Sequence, residues 1–149
     1  MQTVNLTKEQ TFELMNTNLG FHLATIENGE PRVRGMMLYK ADDTGIVFHT
    51  GDFKDVYKQI ITNPTVQMCF NDFTKGIQVR VRGRLEEVMD PELKDEISSH
   101  PTRSFLKKLR ENSSLEDFYN SIRVFRMKNG VANVWTFDTN FAPKVDILL

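Results

Sequence analysis

The sequence predicts a mainly β, α+β fold in which about seven strands, most of them antiparallel to their neighbours, close into a small mixed barrel with short helices outside it. Three observations support this: strict alternation of apolar and polar residues from Gly76 to Glu86, Asn-Gly turns between apolar runs, and helical segments that are all short. A sheet of many strands with few helices tends to close, because closure removes exposed edges. A length of 149 residues fits a single domain, residues 1–149.

The N-terminal third predicts one helix and a hairpin. Thr7, followed three residues later by Gln10, forms a capping box, so a short helix is expected to about Asn16. A strand over Gly20–Glu27 then leads to Asn28-Gly29, a strong hairpin signal, and to a return strand over Pro31–Lys40.

The middle of the chain predicts three strands and one helix. A third strand, Gly45–Thr50, comes before a helix over about Phe53–Thr62, for which Asp52 is the expected N-cap. Asn63-Pro64 ends that helix. Thr65–Asn71 and the alternating segment from Gly76 are the next two strands.

The C-terminal third predicts helices followed by a second hairpin. Asp90-Pro91 is typical of a helix start, and the helical connection continues to about Phe118. Strands over Ser121–Met127 and Val131–Phe137 flank Asn129-Gly130, a second hairpin signal. The tail from residue 138 shows no regular pattern.

Composition narrows the classes of function. Lys and Arg number 19 against 20 Asp and Glu, a net charge of −1, so we expect no nucleic-acid partner. The single cysteine, Cys69, cannot form an internal disulfide, and neither a secretory signal nor an apolar run of about 20 residues occurs. We therefore expect a cytoplasmic protein without a membrane segment.

The common catalytic motifs are absent from the sequence. The three histidines lack metal-ligand spacing, so no metal site is expected. Neither a nucleophile elbow, a dinucleotide-binding glycine motif nor a phosphate-binding loop occurs. If the protein catalyses a reaction, a cofactor is expected to carry the chemistry.

Cations near a strand-to-helix turn form a candidate phosphate site. Arg34 lies on the strand Pro31–Lys40, and Lys54 and Lys58 share one face of the helix that follows Gly51. Fixed cations and free backbone N–H groups are what a phosphate monoester needs. The alternative is that these are ordinary solvated surface charges.

Apolar and amide side chains nearby could hold a flat heterocycle. Met36, Met37 and Leu38 follow Arg34 directly, and methionine packs well against rings. Gln78 starts the outward face of the long strand, where its amide could donate to and accept from a ring edge. The alternatives are methionine as core filler and a solvent-exposed glutamine.

The order of four passages resembles the FMN-binding split barrels related to pyridoxamine 5′-phosphate oxidase. The passages are Pro31–Leu38, Val47–Gly51, Lys58–Val66 and Gln78–Glu86, and the stretches Val134–Phe137 and Asn140–Lys144 resemble a small bacterial branch. This resemblance implies a six- to seven-stranded antiparallel split β-barrel that forms a homodimer, with FMN in clefts at the interface.

The resemblance also implies site residues. Arg34 matches the arginine near the FMN phosphate, and Met36, Met37 and Leu38 match the segment that lies along the isoalloxazine ring. His49 and Thr50 match the pair of residues that touches the flavin, and Gln78 matches the glutamine near the ring. The oxidase's Ser-Arg-Lys triplet is replaced by Lys54, Asp55 and Val56, so Lys54 or Lys58 would bind the phosphate. Its C-terminal Arg-x-His substrate segment is absent, which argues against true pyridoxamine phosphate oxidase activity.

Three hypotheses follow. The first is an FMN-dependent oxidoreductase or reductase that acts on a small organic substrate by hydride transfer at flavin N5, with no catalytic acid or base that the sequence identifies. The second is a non-catalytic module that binds flavin or haem. The third is a structural dimer whose site has decayed.

Overall fold

The structure, a computed structural model, describes residues 5–149 and contains eight strands and five short α-helices within that range. The strands are β1 (Gly20–Glu27), β2 (Glu30–Asp42), β3 (Gly45–Gly51), β4 (Thr65–Asp72), β5 (Ile77–Val88), β6 (Ile122–Met127), β7 (Val131–Trp135) and β8 (Ile147–Leu148). The helices are α1 (Lys8–Thr17), α2 (Asp55–Thr62), α3 (Pro91–Ser99), α4 (Lys107–Glu111) and α5 (Leu115–Ser121), and a 3₁₀ turn, Pro101–Leu106, connects α3 to α4.

Six strands close into a barrel. Antiparallel pairing runs β1–β2–β3–β6–β5–β4, and β4 also pairs with β1, which completes the ring. β7 continues the sheet from β5, and β8 pairs with β7. This confirms the mainly β split barrel with peripheral helices, and β8 lies in the tail for which the sequence showed no regular pattern.

Phenylalanine side chains fill the barrel interior. Phe21 stacks on Phe70 with ring centroids 4.8 Å apart, and its other neighbour, Phe48, lies edge-on at 5.7 Å. Phe48 in turn lies 5.9 Å from Phe125 on β6. All four rings are at most 2% exposed, so burial of these large apolar surfaces is a main source of the barrel's stability.

The predicted N-cap of α2 is wrong. The helix begins at Asp55, and Lys54 occupies the N-cap position without a side-chain cap. The backbone N–H of Asp52 instead donates to the Ser121 carbonyl at 2.9 Å, and that of Lys54 donates to the Gly51 carbonyl at 3.1 Å. The chain therefore makes a turn tied to the end of α5 before the helix can start. The capping box at Thr7 and the cap at Asp90 are confirmed.

The predicted hairpin at Asn129-Gly130 is also wrong. β6 pairs with Leu85–Val88 of β5, whereas β7 pairs with Gln78–Arg82 of the same strand. Both strands are antiparallel to β5 and lie one after the other along it. The chain therefore bends at Asn129-Gly130 but keeps its direction, and no hairpin forms. Asn129 has a φ of 56°, a conformation that asparagine tolerates in bends as well as in hairpins.

The helical segment between β5 and β6 covers one side of the barrel. Leu93 and Ile97 of α3 pack on Val47 of β3 and Val124 of β6. Leu106, Phe118 and Ile122 form a second buried cluster. In residues 5–149 no helix combines the length and the apolar character needed to cross a bilayer.

Candidate functional site

A cleft of about 720 Å³ lies between the outside of the barrel and the helical segment, and we call it the main cleft. β1, β2 and β3 form one wall, and the end of the 3₁₀ turn with α4 forms the other. Its lining residues are Gly20, Phe21, His22, Gly35, Met36, Met37, His49, Thr50, Gly51, Phe53, Lys54, Phe105, Leu106, Leu109 and Ile122. A concave, mostly apolar site of this size with a few polar groups is typical of small-molecule binding.

Five of the nine predicted site residues meet in the main cleft: Met36, Met37, His49, Thr50 and Lys54. They come from β2, β3 and the turn before α2, so pairing of β2 with β3 and the turn at residues 51–54 bring them together. Lys54 makes neither an ion pair nor a hydrogen bond with any side chain in residues 5–149, which leaves its ammonium group free for a ligand.

A smaller cleft of about 370 Å³, here the side cleft, borders the main cleft and shares Gly35, Met36 and Lys54 with it. Arg32 and Arg34 line the side cleft on one side, and Glu27 and Asp55 also contribute to its wall. The predicted cations Arg34 and Lys54 therefore lie at the same end of the combined site, although the carboxylates reduce the local positive charge.

The guanidinium of Arg34 is largely engaged by the protein. It donates to the Leu23 carbonyl at 3.0 Å, to Thr25 Oγ1 at 2.9 Å and to Gln59 Oε1. Burial lowers the pKa of Arg34, and the nearby Glu27 carboxylate opposes that shift. These bonds join β2 to β1 and α2, so Arg34 has a structural role in addition to the predicted contact with phosphate.

The other three predicted residues do not line either cleft. Leu38 is fully buried in the core, and its carbonyl accepts a hydrogen bond from Arg103. Lys58 is exposed on α2. The amide of Gln78 on β5 donates to Asn71 Oδ1 on β4 at 3.0 Å, and neither residue lines either cleft.

Thr50 is an unusual buried polar residue. It is 5% exposed, and its hydroxyl finds no hydrogen-bond partner in the part of the chain that the structure describes. An unpaired buried hydroxyl costs about 1–3 kcal/mol. A ligand in the main cleft could supply the missing partner.

His49 contacts two residues that the sequence did not single out. Its Nε2 accepts a hydrogen bond from Nε of Arg103 at 2.9 Å, and the ring of Phe105 stacks at a centroid distance of 6.2 Å. Burial, followed by the positive charges of Arg103 and Lys54, lowers the pKa of His49 from 6.5 to about 4. The imidazole is therefore neutral at neutral pH. Arg103 and Phe105 lie in a segment for which the sequence predicted only a helical connection.

The barrel and the cleft on its outer wall define the class of protein, an antiparallel split barrel with a ligand-sized external site. The chain belongs to the pyridoxamine 5′-phosphate oxidase family, whose model matches residues 7–123. This confirms the resemblance seen in the sequence.

Two curated relatives illustrate the sequence similarity. A pyridoxine/pyridoxamine 5′-phosphate oxidase of Agrobacterium fabrum is 36% identical over 98 residues, which cover 65% of this chain and 48% of that protein. One of Brucella anthropi is 39% identical over 83 residues, covering 55% of this chain and 41% of that protein. The chain thus spans about half the length of the curated relatives it matches.

Solved structures share the fold over nearly the whole chain. A NimC/NimA family protein of Clostridium acetobutylicum is 21% identical with a TM-score of 0.73, covering 95% of this chain and 92% of its own. A protein of Nostoc punctiforme described as pyridoxamine 5′-phosphate oxidase-related and FMN binding is 14% identical with a TM-score of 0.60, covering 97% and 91%. A FAD-binding protein of Mesorhizobium loti is 17% identical with a TM-score of 0.65, covering 88% and 96%.

Proposed function

We propose that this protein binds FMN in the main cleft and is an oxidoreductase in which the flavin accepts or donates hydride at N5 toward a small organic substrate. The observation that carries the proposal is the meeting of five predicted flavin contacts around one cleft of about 720 Å³, where the Thr50 hydroxyl lacks a partner. The flavin-binding descriptions of the Nostoc and Mesorhizobium proteins support it.

The donor set at the site fits a flavin phosphate and ring. Lys54, at the junction of the two clefts, supplies a free ammonium group, and Arg34 adds positive charge beside it. Met36 and Met37 present polarisable surface suited to a flat ring. Thr50 and the neutral His49, on the neighbouring strand β3, supply hydrogen-bonding groups. Bound flavin would supply the redox chemistry, and the chain's own residues would bind it, orient it and exclude water.

The charge of the main cleft indicates the class of substrate. Lys54 contributes the one permanently charged side chain among the lining residues, and His49 is neutral because burial lowers its pKa. If Lys54 holds the flavin phosphate, no second Lys or Arg among the described residues that line the main cleft remains for a phosphorylated substrate. The apolar wall of Phe105, Leu106 and Leu109 favours an uncharged, apolar substrate instead.

A homodimer is part of the proposal. The main cleft is open to solvent between its two walls, and a cover over this opening is needed to exclude water from a redox site. Val33, Phe137 and Phe141 expose 69%, 82% and 86% of their surfaces, apolar area that a second copy could cover. Light scattering at micromolar concentration should find a dimer, and a monomer that retains stoichiometric FMN would contradict this part.

The test of flavin binding is a fluorescence titration of flavin-free protein with FMN and with riboflavin, which lacks the phosphate. We expect FMN to bind more tightly, by about ten- to a hundredfold, because a charge-assisted contact contributes about 1.5–3 kcal/mol. Equal affinities would show that the phosphate does not bind at Lys54, and absence of binding would refute the cofactor assignment.

The test of catalysis is reduction of the bound flavin by NADH or NADPH, followed by reoxidation with a panel of small aromatic acceptors. We expect uncharged acceptors to be turned over faster than their phosphorylated counterparts. Stoichiometric flavin that no donor reduces would support the non-catalytic binding module instead.

A further inference from the structure

We propose that Arg103 is a positioning residue that holds His49 as a neutral imidazole with its proton on Nδ1, and that this Nδ1–H donates to an acceptor atom of the flavin in the main cleft. The second half of the proposal rests on the proposed function. The first half concerns residues of the chain alone and can be tested without flavin.

The hydrogen-bond chemistry of the two side chains determines the tautomer. An arginine guanidinium has only donors and stays protonated at any pH that the fold survives. Because Nε of Arg103 points at Nε2 of His49 across 2.9 Å, Nε2 must offer its lone pair. A neutral imidazole then carries its proton on Nδ1. A protonated imidazole would place N–H against N–H and positive charge against positive charge.

The surroundings of His49 offer no compensation for a positive imidazole. The charged groups that act on it, Arg103 from the 3₁₀ turn and Lys54 from the turn before α2, are both cations. Phe105 faces the ring from the helical segment, and the β6 residue paired with His49 is the apolar Val124. Each of these neighbours therefore favours the neutral form of the ring or leaves it unchanged.

Arg103 is itself held firmly. It is 0% exposed, and its Nη2 donates to the Leu38 carbonyl at 2.6 Å while its Nη1 donates to Thr102 Oγ1 at 3.1 Å. Its guanidinium lies 5.7 Å from the ring centroid of Tyr39, whose hydroxyl donates to Glu96 at 2.6 Å. Within residues 5–149 no carboxylate forms an ion pair with Arg103. Its partners are neutral acceptors and a ring, and burying a cation among neutral groups is costly.

The remaining nitrogen of His49, Nδ1, is the one left for a ligand. The imidazole lines the main cleft, and Nδ1 has no hydrogen-bond partner among the residues that the structure describes. A flavin presents carbonyl oxygens and ring nitrogens, which are acceptors that match an N–H donor. Arg103 does not line the main cleft, so its effect on the ligand passes through His49.

The tautomer can be measured by long-range ¹H–¹⁵N correlation NMR on histidine-labelled, flavin-free protein at pH 7, with His49→Gln to assign the signals. We expect a neutral ring with Nδ1 protonated in the wild type. In Arg103→Met we expect mixed tautomers and a titration that moves toward the ordinary histidine pKa of about 6.5. Arg110→Met, which removes an exposed arginine from α4, is the control and should leave the His49 signals unchanged.

FMN titrations test the second half of the proposal, that His49 Nδ1–H donates to the flavin. Arg103→Met should weaken FMN binding by about two- to tenfold, the contribution of one neutral hydrogen bond. In a His49→Phe background the same change should cause no further loss, because Arg103 acts through the imidazole. Additive losses would overturn the positioning role.

A wild-type imidazole that is protonated, or that carries its proton on Nε2, would overturn the proposal, and this measurement does not depend on whether Arg103→Met folds. If the wild type binds no FMN, the proposed function fails. The proposal that His49 donates a hydrogen bond to the flavin then fails too. The NMR spectra would still decide whether Arg103 controls the tautomer.

Discussion

The buried hydroxyl of Thr50 leads to a prediction in which stability and ligand affinity change in opposite directions. Thr50→Val keeps the shape of the side chain and removes the hydroxyl. Since that group has no partner in the described residues, its removal relieves a desolvation cost of about 1–3 kcal/mol. For a domain of this size each kcal/mol corresponds to about 2–4 °C in Tm, so the flavin-free variant should melt several degrees higher than the wild type.

Thr25→Val is a matched control in the same barrel. Thr25 is 1% exposed against 5% for Thr50, but its hydroxyl donates to Gln59 Oε1 at 2.6 Å and accepts from Arg34 at 2.9 Å. The same substitution there removes two hydrogen bonds and should lower the unfolding free energy by about 1–3 kcal/mol. The two variants differ little in buried volume, so the opposite signs report hydrogen bonding.

The assay combines thermal denaturation of flavin-free protein with FMN titration. Thr50→Val should raise Tm and weaken FMN binding by about two- to tenfold, because the ligand loses one hydrogen bond. Thr25→Val should lower Tm and leave the affinity near the wild-type value. A lower Tm for Thr50→Val together with unchanged FMN affinity would refute the reasoning, since the hydroxyl would then be satisfied without a ligand.

Three further predictions follow from the charges and the backbone. In the FMN titration, Lys54→Ala should weaken FMN binding by about ten- to a hundredfold. Lys58→Ala removes a charge outside both clefts and should weaken FMN binding by less than about twofold. Burial lowers the pKa of His49 to about 4, so the unfolded chain binds more protons than the folded one between that value and 6.5. The wild type should therefore lose stability in urea titrations as the pH falls through this window, and His49→Gln should flatten the loss. Gly45→Ala, where φ is 127° and a Cβ would lie 2.8 Å from a β6 carbonyl oxygen, should lower Tm more than Gly29→Ala, where φ is 77° and the space is open.

The elements that the sequence predicted best are those with local patterns. Alternation along β5 and the capping box at Thr7 depend on neighbours within a few residues, and both are confirmed. The hairpin at Asn129-Gly130 failed because an Asn-Gly step provides a positive φ, and both a hairpin and a bend within one strand line can use it. Which of the two forms depends on where β5 offers partners, which is a property of the closed barrel.

The same distinction applies to the site. Met36, Met37 and Lys54 were expected near one site from their order along the chain, and His49 and Thr50 from the family resemblance, and all five line one cleft. Arg103 is 54 positions from His49 along the chain. No periodicity or spacing links the two residues, and only the packing of α3 and the 3₁₀ turn against β3 brings them together.

The polar groups whose burial costs folding free energy are concentrated where β3 meets the helical segment. His49 is desolvated beside two cations, Thr50 has an unpaired hydroxyl, and Arg103 is buried without a carboxylate partner in the described residues. The four core phenylalanines Phe21, Phe48, Phe70 and Phe125 are apolar and carry no such cost. A ligand that accepts from His49 and pairs with Thr50 would offset part of it, so binding energy and folding energy should be coupled at this wall of the barrel. That coupling is why the proposed cofactor should stabilise the protein through β3 more than through α2, where Arg34 already donates to Gln59 without it.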